Sequence, residues 1–198
     1  MDVFLQVWGG LFYLANKGLF SVAETQHSTQ RQRRLKIIGW LVYILGVPPW
    51  VIILVGHDNW IAASIEAGGI PAMVFGLYVL VKQEALNPLF DKLTSLITYC
   101  FILFGVSYSF YEYGGITSVT QWLEMGVMVG FLLGGYLLAK GHIGGWLCFA
   151  VMNLSMGSLM LLQGKPILAI QQGVSLCFVL FGLLTMYRNQ KAHTVTDT

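Results

Sequence analysis

Most of this chain consists of apolar runs about 20 residues long in which charged side chains are nearly absent. A helix of that length crosses about 30 Å of hydrocarbon, and it satisfies its backbone hydrogen bonds internally, as a bilayer requires. Hydrophobic residues make up 56% of the sequence and charged residues 10%, whereas about a quarter of the residues in soluble domains are charged. The sequence therefore predicts an all-α integral membrane protein and excludes a soluble domain.

Two stretches of the chain, residues 39–83 and 145–190, echo each other. Each contains an apolar run, a short polar break and a second apolar run. The matching positions are Gly39-Trp40-Leu41 with Gly145-Trp146-Leu147, Ile65-Glu66 with Ile170-Gln171, Phe75-Gly76-Leu77 with Phe181-Gly182-Leu183 and, upstream, residues 13–18 with 136–141. This pattern favours a duplicated three-helix unit. The alternative is that two apolar hairpins resemble each other by composition alone.

The duplication predicts seven transmembrane helices in a 3+1+3 arrangement. The extra helix in the middle returns the second unit to the orientation of the first, so the repeats are parallel. The predicted parts are the first repeat (1–81), a linker with the fourth helix (82–115), the second repeat (116–187) and a polar, disordered tail (188–198). The first helix is the weakest, because residues 3–17 are short for a span, and a helix lying on the membrane surface is the alternative there.

The basic residues favour one orientation in the membrane. With the N-terminus outside, nearly all of them fall on the cytoplasmic side, as the positive-inside rule requires. These residues are Arg31, Arg33, Arg34, Lys36, Lys82, Lys92, Lys140, Arg188 and Lys191. We therefore expect a multi-pass protein of the inner (plasma) membrane with a cytoplasmic C-terminus. No removable signal peptide is expected, because Met1-Asp2 begins no basic n-region.

Several polar side chains fall inside the predicted spans. Ionisable groups at that depth are costly and usually face a cavity or a partner. Counted from the outer helix ends, Glu66, Glu124 and Gln171 lie roughly 8–11 Å below the surface. Asn153 enters from the other side, on the same helix face as Trp146. With Gln172 and Trp122 beside them, these seven residues form the predicted substrate site. The alternative is that they are interhelical polar contacts.

Other functional classes find little support in the sequence. Cys100, Cys148 and Cys177 lie in apolar runs without metal-ligand spacing, and no catalytic constellation or phosphate loop is present. The basic segment 24–36 is interpreted as a topology signal in contact with lipid headgroups rather than as a nucleic-acid site. We therefore expect no enzyme activity, no cofactor and no metal. The expected partners are a small molecule and membrane lipid, and a homo-oligomer remains open.

Proline and glycine residues mark the predicted points of movement and close packing. Pro48 and Pro49 fall in the middle of the second helix, and each removes a backbone donor. We expect a kink or an unwound turn there, which would serve as a hinge. Paired glycines such as Gly68-Gly69 are interpreted as places where helices pack closely. The helices after the first are expected at residues 37–56, 60–81, 93–113, 116–139, 145–163 and 166–187.

The second repeat resembles the PnuC family of nicotinamide riboside transporters over residues 121–188. The resemblance lies in Trp146-Leu147, Asn153-Leu154-Ser155, Leu162-Gln163-Gly164 and the basic Lys140 that closes the preceding helix. It implies a 3+1+3 fold related to the SWEET sugar facilitators. It also implies facilitated diffusion of a vitamin precursor, with nicotinamide riboside as the first candidate, which is trapped in the cell by phosphorylation.

The sequence departs from the family pattern at two places. Gln171 stands where the family often has an acidic residue, and the position that answers Asn153 falls at Val47-Pro48-Pro49 and offers no amide. These departures leave the substrate open, with thiamine and riboflavin as alternatives within the same family. A membrane protein that assembles with partners or acts as a receptor without transport is the alternative from another class.

Overall fold

The computed structural model of the chain describes residues 2–56, 59–83 and 88–196. Every regular element in that part is a helix, and we number the helices in chain order. They are α1 (Asp2–Glu24), α2 (Thr29–Gly56), α3 (Trp60–Gly68), α4 (Ile70–Lys82), α5 (Pro88–Tyr113), α6 (Val119–Ala139), α7 (Gly144–Leu162) and α8 (Pro166–Thr196). The all-α class predicted from the apolar runs is confirmed.

Six segments of the described chain are long and apolar enough to cross a membrane. They are Thr29–Gly56, Ala62–Lys82, Pro88–Tyr113, Val119–Ala139, Gly144–Leu162 and Pro166–Lys191. Helix α1 has 23 residues, or about 34 Å, but it is less apolar because it contains Asn16 and Lys17. Both side chains are buried, since α1 packs along α2 and α8. Helix α1 is therefore part of the bundle, and a seventh crossing remains a prediction.

The predicted third helix is divided into α3 and α4 by Gly69. Pro71 has no N–H group and interrupts the hydrogen bonds of the helix. The rings of Phe101 and Phe131 occupy the space where Cβ atoms at Gly68 and Gly69 would lie. The helix expected at residues 60–81 therefore forms in two pieces that meet at Gly69. The two pieces together still form one apolar span.

Helix α2 continues through Pro48 and Pro49. A proline ring fixes φ near a helical value, so the loss of hydrogen bonds does not by itself end a helix when its neighbours are packed. Val47 and Pro49 are buried, and the ring of Tyr13 packs against Gly46. The predicted unwinding at this point was wrong, and a hinge role for the two prolines stays a prediction.

Helix α8 extends beyond its predicted end at Tyr187 and continues to Thr196. The Asn189 side chain donates a hydrogen bond of 2.9 Å to the backbone oxygen of Glu24, at the end of α1. This contact holds the extended turn against the bundle. The expectation of a disordered tail was therefore wrong for the described residues up to Thr196.

The helix contacts have the same pattern in the two halves of the chain. Helix α1 packs on α2 as α6 packs on α7, and α2 packs on α3 and α4 as α7 packs on α8. Between the halves, α1 contacts α8 and α6 contacts α4. Two similar units placed about a two-fold axis would produce this pattern. Helix α5 lies outside it and contacts α3, α4 and α6.

The core is aromatic at its centre. Trp40 and Trp146 are almost fully buried, and each indole fills a notch at a glycine of another helix. A Cβ atom at Gly76 would overlap the Trp40 indole, and one at Gly182 would overlap that of Trp146. The same buried cluster contains four more aromatic rings, those of Tyr43, Phe75, Phe131 and Phe149.

Candidate functional site

One face of α1 carries polar and small residues that point into the bundle. Gly10, Tyr13, Lys17, Ser21 and Glu24 follow each other at intervals of three or four residues, which places them in one row along a helix. Lys17, Ser21 and Glu24 are buried. Gly10 is also buried and has no side chain, whereas Tyr13 is half-buried. This row, which we call the α1 stripe, meets side chains from α2, α3, α7 and α8.

The first turn of the stripe brings two predicted site residues together. The Tyr13 hydroxyl donates a hydrogen bond to the Glu66 carboxylate of α3. The Gln171 side chain of α8 donates a hydrogen bond of 3.3 Å to the backbone oxygen of Gly10. Gly10 and Tyr13 are three residues apart, about 4.5 Å along the helix. Glu66 and Gln171 therefore reach α1 at nearly the same depth, from helices on its two sides.

Aromatic rings surround this polar layer. The ring of Tyr13 lies edge-on to Tyr43, with 5.0 Å between ring centroids, and 6.4 Å from Trp50. Trp50 fits over Gly9, where a Cβ atom would lie 2.6 Å from its Nε1. That Nε1 donor is buried and has no hydrogen-bond partner among the described residues. The layer thus combines a carboxylate, an amide and an indole donor without a hydrogen-bond partner among the described residues.

Lys17 lies one turn further along the stripe. Its Nζ atom is 3.2 Å from the centroid of the Phe149 ring and 4.7 Å from that of Tyr43. Only 3% of the residue is exposed, and Nζ makes no hydrogen bond within the part of the chain that the structure describes. Tyr43 and Phe149 occupy matching positions in the two echoed stretches, three residues after Trp40 and Trp146. The Lys17 amine is therefore held between corresponding aromatic rings of the two halves.

Two buried asparagines place free acceptors near this level. Asn153 is 2% exposed, and its Nδ2 donates a hydrogen bond of 2.7 Å to the Phe149 backbone oxygen. Asn16 donates in the same way to the Gly39 backbone oxygen at 3.0 Å. The Oδ1 atom of each amide is buried without a partner in the described chain. Buried acceptors are normally paired, so these two oxygens are candidate ligand contacts.

The structure places the remaining predicted site residues elsewhere. Trp122 is 59% exposed and Glu124 is exposed on the same helix, α6. Gln172 is half-buried and lies beside Gly157 of α7. Trp146 packs into its glycine notch. Of the seven predicted residues, Glu66 and Gln171 contact α1 and Asn153 is buried on α7, whereas Trp122 and Glu124 are exposed; a role of these residues in binding substrate stays a prediction.

Sequence reasoning missed Tyr13, Asn16 and Lys17. A lysine near the end of a short apolar helix usually extends its amine to the membrane surface, so its place in the sequence does not indicate burial. The signal that could have found it is the spacing of Gly10, Tyr13 and Lys17, which puts two polar groups and a glycine on one face.

The described residues offer no group of three or more His, Cys, Asp or Glu side chains placed to hold a metal ion. Aromatic rings, amides, one carboxylate and one amine lie in or next to the α1 stripe. Such groups bind a polar, ring-containing molecule by stacking and hydrogen bonds. Together with six apolar spans, they define a multi-pass membrane protein of the transporter class.

Comparison with known proteins agrees with this class. The sequence model of the family described as nicotinamide mononucleotide transporter matches residues 18–188, and the chain belongs to this family, which is the PnuC family. No curated protein and no solved structure matches the chain. The family assignment thus rests on the match over residues 18–188.

Proposed function

We propose that the chain carries out facilitated diffusion of a pyridine ribonucleoside, with nicotinamide riboside as the first candidate substrate. The family match supports a transporter of a vitamin precursor. The observation that carries the finer proposal is the joint approach of Glu66 and Gln171 to α1, in the layer that also holds the unpaired indole donor of Trp50. The flat pyridine ring of such a substrate would stack on the aromatic side chains. Its ribose hydroxyl groups would form hydrogen bonds with the polar ones.

The proposed mechanism is alternating access between two three-helix units, α1–α4 and α6–α8, with α5 as the connection. Parallel repeats of this kind move as units around a site near the middle of the membrane. The matched helix contacts of the two halves support this arrangement. The units meet at the α1–α8 and α4–α6 contacts, so the rearrangement takes place there.

The test is uptake of labelled nicotinamide riboside into liposomes that contain the purified protein. We expect equilibration without ATP and without an ion gradient, with thiamine and riboflavin as competitors that establish the substrate class. Uptake that follows an imposed proton gradient would contradict a uniporter. In that case Glu66→Gln decides whether the carboxylate carries the proton, because glutamine still accepts the Tyr13 hydrogen bond.

Asn153→Leu and Gln171→Leu test the site itself. Loss of a hydrogen bond to the ligand costs about 0.5–1.5 kcal/mol, so affinity should fall roughly three- to tenfold. Gln163→Leu is the control, because Gln163 is exposed at the end of α7. Asn153→Leu also removes a buried, unpaired oxygen, so it should leave thermal stability unchanged or raise it. Normal binding together with lost stability would mean that these residues only hold the helices together.

A further inference from the structure

A cavity of about 230 Å³ opens between the start of α2 and the end of α4. Its lining combines polar and basic side chains with two aliphatic ones, and consists of Thr29, Gln32, Arg33, Lys36, Val79, Leu80 and Gln83. The α2 segment 29–36 has four basic residues and no acidic one. This space, which we call the α2–α4 cavity, therefore has a basic side on α2 and a mostly apolar side on α4. None of the residues proposed to bind the transported substrate lines it.

Contacts within the protein hold the basic side chains of the α2–α4 cavity in place. Arg33 donates from Nε to the Leu80 backbone oxygen at 2.6 Å and from Nη2 to that of Val81 at 2.9 Å. The Lys36 amine lies 2.9 Å from the Glu24 carboxylate. A guanidinium group has five N–H donors and an ammonium group three, so these contacts leave donors for a ligand. Glu24 offsets one positive charge of the four, and the segment keeps an excess.

The exposed side of α2 continues from this positive charge into an apolar surface. Arg31, Arg34, Ile38, Leu41 and Leu45 are all exposed, and they recur every three or four residues, which places them in one row along the helix. The row begins with two arginines beside the α2–α4 cavity and continues with three aliphatic side chains along the apolar span. A phospholipid has the same order of chemistry, with a charged headgroup followed by acyl chains.

We propose that the α2–α4 cavity and the two arginines beside it bind the phosphate headgroup of an anionic phospholipid, whose acyl chains lie along the row from Ile38 to Leu45. Basic pockets between membrane-spanning helices bind such headgroups. General contact of segment 24–36 with headgroups needs only charge, whereas this site also selects the lipid. The excess of positive charge selects an anionic lipid over a zwitterionic one, and the apolar row selects a lipid over a soluble phosphate.

A lipid site and a purely structural role of Arg33 predict different results. An arginine that only binds the backbone oxygens at the end of α4 stabilises the protein equally in every lipid. A headgroup site stabilises it only when an anionic lipid is present. Phosphatidylglycerol and phosphatidylcholine with the same acyl chains differ in the net charge of the headgroup and therefore form the decisive pair of probes. Glycerol 3-phosphate, which has the phosphate without acyl chains, distinguishes a lipid from a soluble anion.

The experiment follows thermal unfolding of the purified full-length chain in a non-ionic detergent while each probe is added. A ligand that binds only the folded state raises the midpoint, and the half-saturating concentration gives the affinity. Wild type is compared with Arg34→Gln and with a double variant that also carries Arg33→Gln. The matched control combines Lys92→Gln and Arg188→Gln, which remove two exposed charges from α5 and α8. Because Arg34 is exposed, its single variant tests the site even if the double variant fails to fold.

We expect phosphatidylglycerol to raise the unfolding midpoint of wild type more than phosphatidylcholine does, and glycerol 3-phosphate to leave it unchanged. A basic residue near an anionic headgroup contributes about fivefold in affinity. Arg34→Gln should therefore weaken phosphatidylglycerol binding about fivefold, and the double variant about 25-fold. The control variant should keep the affinity of wild type, because its two charges lie outside the α2–α4 cavity and the row beside it.

Equal stabilisation of wild type by the two lipids would overturn the proposal, and this result does not depend on any variant folding. Binding of glycerol 3-phosphate as tight as that of phosphatidylglycerol would overturn it too, since the site would then take a soluble phosphate. An equal loss of affinity in the control variant and the arginine double variant would show that only overall charge matters, against a defined site. No transported substrate is present in these measurements, so failure of the transport proposal is a separate result.

Discussion

Gly76 and Gly182 each leave room for an indole ring at the centre of the bundle. Alanine at either position would force Trp40 or Trp146 out of its buried place. Overpacking of this kind typically costs about 1–3 kcal/mol, more than the gain of up to about 1 kcal/mol that alanine brings to a helix in place of glycine. The notches are therefore requirements for packing between helices, and they occur at matching positions of the two halves.

We predict that Gly182→Ala lowers the midpoint of thermal unfolding, because the Trp146 indole must move. Gly173→Ala is the control on the same helix, since no atom lies within 4 Å of the added Cβ. It should leave the midpoint unchanged or raise it, through the better helix propensity of alanine. Equal effects of the two substitutions, measured by fluorescence during heating, would show that the notch does not constrain the tryptophan.

Single residues also show where sequence reasoning reaches its limit. A polar group within an apolar span is costly and has a function or a partner, and Glu66 and Gln171 do have partners on α1; their role in binding substrate stays a prediction, as does that of Asn153. The burial of Lys17 was not predictable, because it depends on Phe149, which is 132 residues away in the chain and reaches it only through the packing of α1 on the other helices. Trp122 has the right depth but points outward, and depth counted along a helix does not give its rotation about the axis.

Among the described residues, two ion pairs connect neighbouring helices at the end of the bundle that carries most of the basic side chains, which we call the basic end. The two pairs differ in burial. Glu24 and Lys36 join the end of α1 to the start of α2, with exposed side-chain fractions of 5% and 20%. Asp91 and Lys140 join α5 to the end of α6 and are 26% and 32% exposed. The Glu24 carboxylate also accepts a hydrogen bond of 3.2 Å from Gln32. The first pair is thus better shielded from water and better supported.

We predict a larger coupling energy for Glu24 and Lys36 than for Asp91 and Lys140. A double-mutant cycle with Glu24→Gln and Lys36→Met should give about 1–3 kcal/mol in the free energy of unfolding. The cycle with Asp91→Asn and Lys140→Met should stay below about 1 kcal/mol, as exposed pairs do. The reverse order would mean that α5 is more firmly attached than the α1–α2 hairpin.

Helix ends and helix breaks were predicted with uneven success. The ends of α6 and α7 follow local signals, such as the Ser118 side chain that accepts a hydrogen bond from the Gln121 N–H group. The break at Gly69 has a local signal in Pro71, which lacks an N–H group, but mean hydropathy does not register it. The extension of α8 accompanies a distant contact with Glu24, which no local pattern contains.

At the level of the whole molecule, the basic end should face the cytoplasm. We predict that a cysteine at Lys165, between α7 and α8, reacts with a membrane-impermeant thiol reagent added to intact cells. A cysteine at Lys140 should react only after the cells are opened. Cys100, Cys148 and Cys177 are first replaced by alanine in both variants. A reactive residue 140 and a protected residue 165 would invert the proposed orientation.

The contacts of α1 limit how this helix can move. Asn16 donates to the Gly39 backbone oxygen of α2, Ser21 donates to that of Phe178 in α8 at 2.6 Å, and Tyr13 donates to Glu66 of α3. These three bonds tie α1 to three different helices at three levels along its axis, so a roll of α1 about its own axis would strain all of them together. Any movement of α1 relative to α2, α3 and α8 must therefore break at least one of them.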